Sequence, residues 1–273
     1  MKACLFCGVP ISAGSGGNKA AEHAFPKWLQ RRLSALGKQF ESVQVNLVTG
    51  EQESRTHPLL TLVAKDVCRT CNQGWMSGLE TAFVPIFEKL IQPGCFVTDL
   101  SDDESQVVRR WAFKTALAVV AACPTDKQLP EMLYRSLAQG QPIPHGIHVF
   151  GGSVGGHQLE HGLYVGDRLG VIPCHATRDD ADRVLRGTTW IVIQASSLLL
   201  VVYWVPNQFV KLAPRPGIHH PIGIETDAYT WMMPLEVLPQ PTGVERLWDE
   251  FARNIFMDIE SATIRAACHT MAI

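Results

Sequence analysis

The sequence predicts an α+β fold built from two parts. Two Cys-x-x-Cys pairs enclose a stretch of mixed helical and strand-like sequence near the N-terminus, and helical sequence followed by short β-branched runs makes up the rest. Hydrophobic residues form 46% of the chain and charged residues 18%, which is ordinary for a globular core. We expect residues 1–95 to form a small module and residues 96–273 a mixed helix and antiparallel-sheet domain, joined near residues 92–102.

Secondary-structure signals in the first part lie between and just after the two cysteine pairs. Glycine and serine dominate residues 12–18, and "AEHAFPKWLQRRLSAL" then predicts a helix with Pro26 in its first turn and Gly37 at its end. Residues 40–65 alternate between apolar and polar, which predicts a hairpin or two short strands. Apolar residues recur at helical spacing after the second pair, and Pro85 predicts a kink or an end to that helix.

The second part begins with helices and continues with strands. "SDDE" at Ser101–Glu104 matches a capping box that opens an amphipathic helix, and a shorter helix is predicted at Pro130–Ala138, before Gly140. From His145 onward, short apolar runs separated by Gly, Asp and Ser predict strands: "GIHVFGG", "HGLYVG", "LGVIP", "TTWIVIQA" and "SLLLVVYWV". A second capping box at Thr242 predicts a final helix.

No stretch of the sequence has the length and composition of a membrane span. The longest apolar run, Trp190–Val205, is interrupted by "QASS", and the sequence after Met1 does not resemble a signal peptide. We expect a soluble, cytoplasmic protein, in which cysteines are normally reduced.

Four of the eight cysteines lie in two close pairs, which predicts a metal site. Cys4 and Cys7 form the first pair, and Cys68 and Cys71 form the second. Four thiolates are a closed tetrahedral ligand set for Zn²⁺, and such a site is structural because no coordination position remains for a substrate. The remaining cysteines are scattered singly and are predicted to be buried apolar thiols: Cys95, Cys123, Cys174 and Cys268.

Basic residues are concentrated at the N-terminal end of a chain whose net charge is -2. Residues 1–40 contain six lysines and arginines, whereas Glu22 is the single acidic residue in that range. A basic face of this kind would steer a polyanion such as nucleic acid to one end of the protein. A solvated helix surface explains the same charges without a ligand.

Because a closed zinc site leaves catalysis to other groups, the nearby polar residues Glu22, His23 and Asn72 are candidates. Neighbouring residues on a strand point to opposite faces. Glu22 can therefore reach a metal ion bound to a substrate phosphate, while His23 approaches that phosphate from another direction. Asn72 directly follows Cys71, the last of the four paired cysteines. Its carboxamide oxygen is a hard ligand that suits Mg²⁺ beside a carboxylate.

The motifs "CLFC", "AEHAFPKWL" and "VCRTCNQGWM" resemble the HNH (His-Me finger, ββα-metal) endonuclease family, and more closely its four-cysteine zinc-bearing members. The resemblance covers residues 1–80 only. It implies a treble-clef-like ββα-metal module with a structural Zn²⁺ on the four cysteines. It also implies that His23 is the general base and that Glu22 and Asn72 are ligands of a catalytic Mg²⁺ or Mn²⁺.

The chain departs from the family pattern at three places. Glu22 stands where the family more often has aspartate, and Asn46 is the one candidate for the family's middle asparagine. Some members carry a further acidic ligand on the helix after the asparagine, whereas this chain has Gln73, Gly74 and Trp75 there.

The function implied by the resemblance is metal-dependent hydrolysis of DNA, expected to be double-stranded. The histidine would take a proton from water, which attacks the phosphorus, and the metal ion would stabilise the leaving oxygen. A non-catalytic zinc module that binds nucleic acid or protein is the alternative. By analogy of architecture, a nuclease module joined to a larger domain suits a restriction or antiphage effector, as a homodimer or with a defence-system partner.

Overall fold

The computed structural model describes residues 2–12, 18–33, 39–45, 52–58, 62–95, 97–122, 129–144, 146–154, 162–167, 189–204, 220–225 and 228–235. Asn46, the strand predicted at "LGVIP" and the helix predicted from Thr242 lie outside these residues. Among the described residues, no helix combines the length and the apolar character needed to cross a membrane.

Two antiparallel strands followed by a helix form the framework of the first part. The elements in chain order are β1 (Lys19–His23), α1 (Lys27–Arg32), β2 (Gln39–Val45), β3 (Gln52–Pro58), β4 (Val63–Cys68), α2 (Arg69–Cys71), a π-helical turn (Asn72–Met76) and α3 (Ser77–Leu90). β1 pairs with β4, so that Lys19 lies opposite Cys68 and His23 lies opposite Val63. β2 and β3 form the predicted hairpin. α1 begins directly after Pro26 and ends at Arg32, earlier than the end predicted at Gly37.

The helix after the second cysteine pair does not end at Pro85, so the predicted end is wrong, whereas a kink at Pro85 stays a prediction. α3 continues through the proline to Leu90. A proline removes one backbone hydrogen bond from a helix. Here Phe83, Phe87 and Leu90 are buried on both sides of it, and their packing holds the helix together. The interruption lies earlier instead, at Gly74 inside the π-helical turn, where the backbone leaves helical geometry.

Two helices follow the 3₁₀ turn Val97–Asp99, and both were predicted: α4 (Asp102–Ala122) and α5 (Glu131–Ala138). The capping box of α4 is formed, because the Ser101 backbone N–H donates to Glu104 Oε2 (2.8 Å) and the Glu104 N–H donates to Ser101 Oγ (3.2 Å). α5 ends before Gly140, whose φ of 69° suits glycine in the turn after a helix.

A six-stranded mixed sheet lies in the second part. Its strands are β5 (Ile147–Val154), β6 (Gly162–Asp167), β7 (Thr189–Ala195), β8 (Leu198–Trp204), β9 (His220–Glu225) and β10 (Ala228–Leu235), in the order β6-β7-β8-β5-β10-β9. The sequence predicted β5 to β8 but not β9 and β10. The predicted antiparallel pairing holds except between β5 and β10, which run parallel.

A single buried cluster connects the helices, the cysteine pairs and the sheet. α4 contacts α3 and β4, and it also contacts strands β5 to β9. Trp111 on α4 stacks on Phe83 of α3 with ring centroids 4.0 Å apart. Because this cluster crosses residues 92–102, the two predicted parts share one core, and their division into separate domains stays a prediction.

Candidate functional site

The four cysteines predicted to bind zinc lie together. Their sulfur atoms are all within 4.8 Å of one another. Cys4 Sγ lies 3.9 Å from Cys71 Sγ, and Cys7 Sγ lies 3.6 Å from Cys68 Sγ. A tetrahedral zinc ion with bonds of about 2.3 Å to sulfur requires sulfur atoms roughly 3.8 Å apart. The cluster therefore fits a metal ion such as zinc.

Two backbone N–H groups donate hydrogen bonds to cysteine sulfurs, and such bonds stabilise the thiolate form. The Cys68 N–H donates to Cys4 Sγ (3.3 Å), and the Cys71 N–H donates to Cys68 Sγ (3.4 Å). Burial acts to raise the pKa of Cys4, but backbone hydrogen bonds outweigh it, so that this pKa is lowered. Burial raises the pKa of Cys71 instead. Binding of Zn²⁺ there would release a proton.

The first cysteine pair is held against the helices by aromatic packing. Phe6, between the two cysteines, is fully buried, with its ring 5.6 Å from that of Trp75 and 5.3 Å from that of Tyr134. Trp75 thus belongs to the core, and its side chain also interacts with Cys71 and acts to lower that thiol's pKa.

Glu22 and Asn72, fifty positions apart in the chain, are in direct contact. The Asn72 Nδ2 group donates to Glu22 Oε2 (2.9 Å) and to the backbone carbonyl of Ala21 (3.0 Å). Both neighbours are acceptors, so the nitrogen of the carboxamide faces them and its oxygen faces away. Residues from the end of β1 and from the π-helical turn therefore meet beside the cysteine cluster.

A lysine that was not predicted as a site residue binds the carboxylate of Glu22. Lys114 of α4 places its Nζ 2.6 Å from Glu22 Oε1 and 2.8 Å from Glu80 Oε1. The lysine side chain is 0% exposed and that of Glu22 is 7% exposed. A signal was present in "WAFKTALAVV", because a charged residue within an apolar helical run must find a buried partner. Glu80, two helical turns after Asn72, gave no comparable signal.

The charges of this cluster are unequal, since two carboxylates share one ammonium group. Burial raises the pKa of Glu22, and Lys114 offsets this only in part. Burial acts to lower the pKa of Lys114, but the charges of Glu22 and Glu80 outweigh it and the pKa is raised. Lys114 is therefore held in its charged form.

His23 lies next to Glu22, at the end of β1, and its side chain is half-buried. Alternation along the strand puts it on the opposite face from Glu22. Its partner in β4 is Val63, and the register of the strand pair shifts between Glu22 and Ala20, opposite the part of β4 that contains Lys65. Lys65 is exposed.

Glu22 and Asn72 do not fit a shared Mg²⁺ or Mn²⁺ ion in this arrangement. One carboxylate oxygen of Glu22 accepts from an ammonium group and the other accepts from the amide nitrogen of Asn72. A divalent cation needs oxygen ligands from both residues and would meet the positive charge of Lys114. Their assignment as metal ligands stays a prediction.

The basic residues of α1 differ in their surroundings. Arg32 makes two hydrogen bonds to Glu88 of α3, with donor–acceptor distances of 2.6 Å and 2.9 Å. Arg31 and Lys27 are exposed, and Lys27 lies four residues after His23 in the chain. Arg32 thus forms an ion pair that joins α1 to α3. Arg31 and Lys27 lie at the surface.

Comparison with protein-family models, with curated proteins and with solved structures found no match to this chain. The resemblance to HNH endonucleases therefore rests on the motifs of residues 1–80.

Proposed function

We propose that the N-terminal part of this chain is an HNH-type endonuclease that hydrolyses DNA phosphodiester bonds with His23 as the general base. The contact of Asn72 Nδ2 with Glu22 Oε2, at 2.9 Å, carries this proposal. It joins two residues of the predicted site across fifty positions. Glu22 directly precedes His23, and Asn72 directly follows Cys71.

The surroundings of His23 suit this role. The four cysteines fix the chain on one side of Asn72, and the β1–β4 pair carries Glu22 and His23 on opposite faces. A neutral imidazole accepts a proton from an attacking water molecule. Lys65, exposed on β4 two residues after Val63, the partner of His23, would bind a phosphate of the DNA backbone through its charge. Glu22 and Asn72 act by fixing the end of β1 on which the histidine stands.

Cleavage by the purified full chain tests this proposal. We expect the wild type to nick or linearise supercoiled plasmid and His23→Ala to lose at least about a hundredfold in rate, as for removal of a general base. Gln73→Ala, at an exposed position beside Asn72, serves as the matched control and should keep its activity. Reactions contain Mg²⁺, Mn²⁺ or no added divalent ion, and both variants are first compared with the wild type in zinc content and thermal melting.

A second function, a non-catalytic zinc module that binds nucleic acid, is favoured by one observation. Lys114 neutralises the carboxylate of Glu22, which the resemblance assigns to a metal ion. This function predicts that wild type and His23→Ala are equally inert on double-stranded, single-stranded and branched DNA and on RNA. It also predicts that both bind one of these with equal affinity, and that the affinity falls as salt rises. That pattern would contradict the nuclease proposal.

A further inference from the structure

Lys114 is surrounded by oxygen atoms as a bound cation would be, and its own ammonium group is that cation. The ammonium group lies between Glu22 Oε1, at 2.6 Å, and Glu80 Oε1, at 2.8 Å. Asn72 Nδ2 takes the second oxygen of Glu22. Lys114 is fully buried in α4, so water does not replace these partners.

We propose that Lys114 is the resident cation of this site and takes the place that a divalent metal ion would need against Glu22. The inference rests on the proposed function in its choice of site. It makes that function more specific, since Glu22 and Asn72 then bind Lys114 and each other and do not bind Mg²⁺ or Mn²⁺. Glu80 becomes a member of the site because it is the second carboxylate on the same ammonium group.

The physical reason is competition for one carboxylate. The buried carboxylate of Glu22 and the half-buried carboxylate of Glu80 would repel each other without a cation between them, and an ammonium group within hydrogen-bond distance of both removes that repulsion. A divalent ion at Glu22 would have to displace Lys114, and the displaced ammonium group has no water to solvate it inside the core. Lys114 is also a positioning residue for the end of β1, because it binds the carboxylate oxygen of Glu22 that Asn72 does not bind.

Binding of Mn²⁺ to the zinc-loaded full chain tests the inference, measured by the loss of the free-ion signal in electron paramagnetic resonance. The thiolate cluster is not expected to take Mn²⁺, which binds sulfur ligands more weakly than Zn²⁺ does. We expect the wild type to show no stoichiometric site. Lys114→Met should gain one site per chain, with affinity at least about tenfold above the wild type, because the competing charge is gone.

Two further variants locate the new site. Lys114→Met combined with Glu22→Gln should lose the gained site. Lys89→Met, which breaks an ion pair with Glu104 at the surface, is the matched control and should gain none. Stoichiometric Mn²⁺ binding by the wild type that Glu22→Gln abolishes would overturn the inference, as would a folded Lys114→Met protein that binds no Mn²⁺.

Removing Lys114 leaves two carboxylates unpaired, so the variant can fail to fold in metal-free buffer. In that case, refolding with Mn²⁺ present should recover a cooperative melt, and failure to recover it also overturns the inference. None of these readouts measures cleavage. An inert wild type that gives the expected Mn²⁺ results would therefore refute the nuclease proposal alone.

Discussion

The side chain of Asn72 has one orientation in which both of its neighbours are satisfied. Its amide nitrogen donates to the carbonyl of Ala21 and to the carboxylate of Glu22. The reverse orientation would bring an amide oxygen against two acceptors. At the scale of the residue, Asn72 therefore acts as a donor that fixes the end of β1.

Replacement of Asn72 by aspartate tests this orientation. We expect Asn72→Asp to lower the free energy of unfolding by about 1–3 kcal/mol, because it removes a donor from a carboxylate and adds a second negative charge. Asn72→Ala removes the donor alone and should cost less. The measurement is denaturant unfolding at neutral pH. An aspartate variant as stable as the wild type would contradict a hydrogen bond from Asn72 Nδ2 to Glu22.

The sequence could predict Glu22, His23 and Asn72 as neighbours because each stands next to a local marker, a strand end or a cysteine pair. It could not predict Lys114 as their partner, since the contact with Glu22 spans 92 positions and depends on how α4 packs. It also did not predict that the amide nitrogen of Asn72 donates to Glu22, because the acceptors around this side chain are brought near it only by the fold.

At the scale of the element, the start of α4 is a feature that the local sequence determines. Its capping box was predicted because the two hydrogen bonds lie within residues 101–104. The end of α3 was predicted wrongly because the burial of Phe87 and Leu90 depends on the rest of the core. β9 and β10 were not predicted. The parallel pairing of β10 with β5 joins strands that are far apart in the chain, so local sequence does not determine it.

The capping box also gives a pH dependence. The backbone N–H of Ser101 and the ammonium group of Lys89 lower the pKa of Glu104 below its ordinary value of 4.5. A lowered carboxyl pKa contributes stability that is present above the unfolded value and is lost as pH falls through the folded value. Glu104→Gln should therefore be less stable than the wild type at neutral pH, and the difference should shrink below about pH 4.5.

Unfolding free energies of the two proteins from about pH 6 to about pH 3 check this expectation. Gln at this position can still accept the hydrogen bond from Ser101, so the variant isolates the effect of the charge. A difference that stays constant over the whole range would contradict it.

At the scale of the whole molecule, the cysteine cluster is part of the core. Phe6 packs between Trp75 and Tyr134, so the first cysteine pair touches both the π-helical turn and α5. We expect about one zinc per chain, and we expect Cys71→Ser to reduce zinc content and lower the melting temperature. Cys95→Ser, at a half-buried single cysteine, is the matched control and should change neither. Equal zinc content in all three proteins would exclude the cluster as the metal site.

The shared core also predicts the behaviour of a fragment. Residues 1–95 without α4 lack Lys114 between the two carboxylates and lack Trp111 against Phe83. We expect this fragment to show no cooperative melt even with zinc, whereas the full chain does. Circular dichroism on heating distinguishes the two. A fragment that melts cooperatively with one bound zinc would support residues 1–95 as an independent domain.

The position of Lys114 in the chain has a consequence for synthesis. A ribosome makes Glu22 and Glu80 before it makes the lysine, which follows them by 92 and 34 positions. The growing chain therefore carries both cysteine pairs and both acids while their counter-charge has not yet been translated. The four cysteines can bind a metal ion on the nascent polypeptide. The ion pairs of Lys114 with Glu22 and Glu80 form only after the middle of α4 has left the ribosome.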